Sequence, residues 1–168
     1  MTMLPVVSKR IAAENGFSLI EMVIVLAIIG ILLVAILPSN QGRIDQTKLA
    51  ESVKLMSQYQ PQIVQHYQFN NEFPVDNKAA GMPDPDKISG NYLTAVFVVD
   101  GALHLQLGNK VRPELTNKFV TLRPVFVPGV ENAPVSWICG YDAVPANMVA
   151  AGENRTDIEA GSLPLSCR

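Results

Sequence analysis

The chain has 168 residues, enough for one domain and a long extra helix. It is 48% hydrophobic and 17% charged, with a formal net charge of −2. That balance argues against nucleic acid as a partner, leaving room only for a local basic stripe, and two cysteines alone cannot make a structural zinc site.

Residues 1–16 form a segment of mixed polarity containing Lys9, Arg10 and Glu14, and the long apolar run comes after it. A secretory signal carries its apolar stretch ahead of the cleavage site, so this run is expected to stay in the mature product. Phe17–Leu37 is 21 residues. As a helix rising about 1.5 Å per residue, it would cross a bilayer core of about 30 Å. Lys9 and Arg10 precede the run and Arg43 follows it, which favours a cytoplasmic amino terminus. Glu21 lies inside the run. A carboxylate at the bilayer centre costs about 2.5–3.5 kcal/mol. Either Glu21 reaches the interface from the helix end, or it meets a buried partner.

The motif Gly16-Phe17-Ser18-Leu19-Ile20-Glu21, followed by 16 uncharged residues and Pro38, resembles the amino terminus of the type IV pilin family, which includes the pseudopilins of type II secretion. The resemblance implies that a prepilin peptidase cuts after Gly16 and that Phe17 becomes an N-methylated amino terminus. It also implies that Glu21 pairs with the terminal amine of a neighbouring subunit during assembly, with Pro38 closing the assembly motif. An ammonium and a carboxylate in a low-dielectric core each cost several kcal/mol unless they meet, so such pairing fixes register as well as attracting. Loss of Lys9, Arg10 and Glu14 with the leader takes the net charge from −2 to −3.

Beyond Pro38 and Gly42, the residues Leu49, Val53, Met56, Ile63 and Tyr67 recur near three- and four-residue spacing. This predicts an amphipathic continuation of the same helix to about Phe69. Pro38 and Pro61 predict two bends, since each removes a donor and clashes one turn back. Residues 70–92, rich in Asn, Asp, Gly and Pro, read as a connecting loop. Asp84 and Asp86 within it are too few carboxylates for a calcium ion needing six or more oxygens.

Leu93–Val99 and Ala102–Leu107 flank Asp100-Gly101, the signature of a hairpin with a two-residue type I′ turn. That turn pairs Val98 with Leu103, Val96 with Leu105 and Thr94 with Leu107 on the face toward the helix. Phe97 and His104 then pair on the other face, making His104 a surface or subunit-contact residue. Lys118–Val127 alternates as a third strand that Pro124 limits at an edge. Val135–Gly140, with Trp137, is the fourth. One side of this sheet is strongly apolar, and the helix is expected to cover it.

Cys139 and Cys167 enclose residues 140–166, outside the cytoplasm if the orientation above holds, where disulfides persist. A bond closing such a loop contributes about 3–4 kcal/mol in the chain-entropy model; two free thiols are the alternative. The family resemblance extends loosely to this region: Val135–Cys139 and Leu163–Arg168 look like the corresponding stretches of type IVa pilins, in which a cysteine pair bounds the C-terminal region. It implies a Cys139–Cys167 bond. Residues 141–168 show little periodicity, so covalent closure is expected to be their main constraint. Asn154-Arg155-Thr156 is an N-glycosylation-type triplet, a pattern frequent by chance.

No Gly-rich phosphate loop, HExxH or GxSxG is present, and neither His66 nor His104 has a partner at catalytic spacing. No enzyme, catalytic residue, metal or cofactor is expected. The expected architecture is an α+β pilin fold. A long N-terminal helix, membrane-spanning over 17–37 and amphipathic over 38–69, packs on a four-stranded antiparallel sheet over 93–140, followed by a disulfide-bounded region over 139–168. The resemblance implies a homo-oligomeric helical filament, stored in the inner membrane and assembled by the pilus machinery, serving adhesion, twitching motility or DNA uptake. Two other readings are a type II secretion pseudopilin and a DNA-receptor minor pilin. The cysteine pair and the poor carboxylate cluster weigh against the first, and the acidic balance against the second.

Overall fold

The computed structural model describes residues 16–36, 41–130 and 133–168. The chain divides into two compact units, Met1–Ser39 and Asn40–Arg168. Residues 1–15 and the expected bend at Pro38 lie outside the described residues.

The first unit contains α1, Leu19–Ile36, whose first turn carries Glu21. An acid there is favoured by the positive end of the helix dipole. α1 has 18 residues, about 27 Å of helix, and Leu37, the end of the expected span, lies outside the described residues. Among the described residues no helix is long and apolar enough to cross a membrane.

The second unit opens with α2, Gln41–Met56, and α3, Gln60–Asn70. The continuation expected to bend at Pro61 is broken just before it into two helices. Ser57 N–H donates to Lys54 O at 3.2 Å and Tyr59 N–H to Met56 O at 2.9 Å, tightening the chain into a turn. Pro61 then falls in the first turn of α3, where its missing donor has no helical partner to lose. Asn71 ends α3 in the left-handed conformation, φ 56°, with its N–H on Tyr67 O. The apolar stripe survives the break, because Leu49, Met56 and Ile63 are all fully buried, and Tyr67 stacks on Phe73 with centroids 4.2 Å apart.

The sheet contains β1 (Leu93–Val99), β2 (Ala102–Leu107), β3 (Phe119–Phe126) and β4 (Ser136–Cys139), antiparallel in that order. β5 (Val149–Ala150) adds a fifth strand beside β3, too short to leave a periodic trace. Asp100 (φ 48°) and Gly101 (φ 82°) form the expected tight turn, since a type I′ turn requires positive φ at both central residues. Val98 pairs with Leu103, Val96 with Leu105 and Phe97 with His104, as expected. The pairing of Thr94 with Leu107 fails: Leu93 takes that place, and a bulge between Leu93 and Ala95 leaves Thr94 as the extra residue.

Pro124 does not lie on an edge strand, for β3 is paired on both sides. It falls in a gap: the β2 register stops at Leu103–Leu122, and β5 begins at Val125–Ala150. No ladder donor is required of Pro124 there, and its carbonyl accepts Ala151 N–H at 2.9 Å. The core joins Leu49, Met56 and Ile63 of the helices to Val96, Val98, Leu103, Leu105, Val120 and Leu122 of the sheet. The loop at 70–92 is tied to it through buried Asn77, which donates to Val96 O at 2.9 Å and accepts Val98 N–H at 2.8 Å.

His104 is corrected from surface to core, being 0% exposed. The C-terminal segment passes over its face of the sheet. Arg155 N–H donates to the Thr121 hydroxyl, Thr121 N–H to the Thr156 hydroxyl, both at 3.0 Å, and Asp157 N–H to Phe119 O at 3.3 Å.

Candidate assembly surface

In α1 the local sequence dictates a helix with no polar face, because Leu, Ile, Val, Met and Ala occupy every side of it apart from Glu21 and Gly30. A helix that is apolar all round is stable only when surrounded. Residues 16–34 are all exposed in the single chain, Glu21 among them, Phe17 by 79% and Leu19 by 85%. What the first unit offers is a helix of apolar surface with one charge near its start, left uncovered in the single chain.

Gly16 precedes the helix, exposed, and a Cβ added there would meet nothing within 4 Å. Packing within the described chain therefore gives no reason for glycine at this position. Gly16, Phe17 and Glu21 share the first unit, whereas Pro38 lies outside the described residues.

Cys139 and Cys167 are brought together as a disulfide. Around it the backbone is closely fitted. Tyr141 N–H donates to Cys167 O at 3.0 Å, and Gly140, at φ 58°, has no room for a Cβ against the carbonyl of Cys167. Covalent closure is not the main constraint expected for residues 141–168. Asp157 accepts Phe119 N–H at 2.6 Å and pairs with Lys118 at 3.0 Å, and Ile158 and Leu163 are buried. Asn154 of the glycosylation-type triplet is exposed, but its amide donates to Gly140 O at 2.7 Å and its Oδ1 accepts Thr156 N–H at 3.1 Å.

Sequence reasoning missed an ion pair that is buried on its acidic side. Asp45 of α2, only 3% exposed, meets Arg112 at 2.9 Å, and Arg112 also donates to the Ser162 hydroxyl at 3.3 Å. This links the helix, the stretch between β2 and β3 and the C-terminal region. The three residues are far apart in sequence, so no spacing signals them. Burial pushes the imidazole of His104 down to about 4, helped by the guanidinium of Arg155. Among the described residues no three His, Cys, Asp or Glu side chains gather as metal ligands would.

The family described as Pilin (bacterial filament) matches residues 46–168, and the prokaryotic N-terminal methylation motif matches residues 11–37. The chain is similar to a type IV major pilin protein, PilE1, of Neisseria gonorrhoeae: 30% identity, covering 92% of this chain and 87% of that one. It is also similar to a fimbrial protein of Neisseria meningitidis serogroup B at 30% identity, covering 92% and 94%. A third relative, fimbrial protein EcpC of Eikenella corrodens, shares 28% identity over 92% and 91% of the two chains.

Proposed function

Because this chain belongs to the pilin family, we propose that it is a structural subunit of a type IV pilus and that α1 is the element by which it assembles. The carrying observation is the exposed, all-round apolar helix with a single carboxylate in its first turn. Copies packed side by side hide that surface from water, at about 25 cal/mol per Å2 of apolar area removed. The subunit is a building block, with its chemistry in assembly.

In this reading a prepilin peptidase cuts after Gly16, and the freed, methylated amine of Phe17 meets Glu21 of a neighbouring copy. The lack of a packing reason for Gly16 among the described residues supports an external reader of that position, since glycine lets another backbone approach closely. Before assembly the apolar run Phe17–Leu37 holds the subunit in the inner membrane, amino terminus in the cytoplasm, and the disulfide-bearing unit lies outside. After assembly that unit forms the filament surface.

Mass spectrometry of subunits sheared from cells tests this. The expected mature chain starts at methylated Phe17. A chain beginning at Met1, or cut elsewhere, overturns the processing scheme.

A further inference from the structure

β1 is the outermost strand of the sheet, with β2 on one side and, among the described residues, no strand on the other. An edge strand offers a row of unpaired N–H and C=O groups to any further strand that arrives. Here the loop over 70–92 occupies them. The buried carboxamide of Asn77 donates to Val96 O at 2.9 Å and accepts Val98 N–H at 2.8 Å, and its second amide proton goes to Pro83 O at 3.0 Å. A side-chain carboxamide joins a donor and an acceptor in one plane, as a peptide group does, so Asn77 fills the edge as one unit of a strand would. Its own carbonyl accepts Met82 N–H at 2.8 Å, which closes the turn that carries it. The ends of β1 are sealed likewise: Pro74 O accepts Gly101 N–H at 2.8 Å, and Leu93 O accepts Gly90 N–H and the Asn109 amide, both at 3.0 Å.

We propose that the outer edge of β1 is a latent surface for strand addition by a second copy of this chain, and that Asn77 is the residue that keeps it closed. The sequence of β1 selects the occupant. Leu93–Val99 reads LTAVFVV, with no charge, proline or glycine. Segments of about six or seven residues with high β propensity and no charge stack on copies of themselves. The other strands of the described sheet are less suited: β2 lies between two neighbours, β3 carries Arg123 and Pro124, and β4 has only four residues. The strand best fitted to self-pairing therefore sits at the edge, and no lysine or proline of its own guards it. The inference goes beyond the filament reading. There copies meet through α1, whereas here a contact between copies is prevented.

The test uses full-length subunits solubilised in detergent with the disulfide intact. In Asn77→Ala the Val98 amide is expected to exchange its hydrogen about ten-fold faster than in wild type, the scale of one net hydrogen bond. Incubated at high concentration, this variant is expected to sediment as thioflavin-binding β structure while wild type stays dispersed. Thr94→Lys places a charge on the half-buried bulge of β1 without replacing the Asn77 bonds. Asn77→Ala combined with Thr94→Lys is therefore expected to keep the fast Val98 exchange and to lose the sediment. Sediment from the double variant equal to that from Asn77→Ala would make the association a result of general unfolding and overturn the proposal. Wild-type exchange at Val98, or fast exchange with no sediment, overturns it too. Where Asn77→Ala does not accumulate, Asn77→Asp keeps an acceptor for Val98 N–H and gives up both donations, and its sediment with and without Thr94→Lys decides in the same way.

Discussion

His104 and Thr121 face each other across β2 and β3, with Nδ1 3.0 Å from the threonine Oγ1. The same hydroxyl accepts Arg155 N–H at 3.0 Å, and its own proton is available to Nδ1, an arrangement that a neutral ring satisfies. Among the described residues the other ring nitrogen, which is buried, has no hydrogen-bond partner. Protonating the ring would put a charge into a site that burial and the neighbouring Arg155 both oppose.

Stability is therefore expected to fall in acid through His104. The folded ring titrates near 4 against 6.5 unfolded, so its contribution is fully present above about 6.5 and is lost progressively as pH drops toward 4. The difference amounts to about 3 kcal/mol by linkage. Urea unfolding of detergent-solubilised subunits at a series of pH values, for wild type and His104→Gln, measures it. The variant should lose most of the slope between pH 6.5 and 4.5. An identical slope in both would show that His104 is not the titrating group.

Glu21→Ala is expected to leave processing after Gly16 largely intact and to abolish filament. α1 has no other charge, so its loss removes the partner proposed for the Phe17 amine without changing the helix. The immunoblot of the membrane pool and the sheared fraction, taken side by side, gives the answer. Normal filament from Glu21→Ala would make Glu21 a residue that merely reaches the interface.

Cys139→Ser is expected to lower the stability of the second unit by about 3–4 kcal/mol, the loop-closure contribution for a bridge of separation 28. That is a large share of the roughly 5–15 kcal/mol typical of a domain. Residues 149–158 should nevertheless remain protected from hydrogen exchange, because β5 and the bonds to Phe119 and Thr121 hold them in the folded state. Melting and exchange of oxidised and reduced subunits separate the two effects. Unchanged melting after reduction would remove the disulfide from the stability of the unit.

The elements whose determinants lie close together in the chain were legible without coordinates. Asp100-Gly101 between alternating apolar runs sets the turn and the pairs Val98–Leu103 and Val96–Leu105, because register follows from turn type. The motif from Gly16 to Glu21 and the buried stripe of Leu49, Met56 and Ile63 are similarly local patterns. Tertiary structure alone decided the rest. Thr94 became a bulge, Pro124 found a gap between two partner strands, and His104 went from surface to core. The last two depend on a segment distant in sequence, β5 or residues 151–157, whose short aperiodic stretches carry no hydrophobic period to read. Asp45 and Arg112 make the same point, since a buried charge is tolerable only beside a partner that folding brings to it.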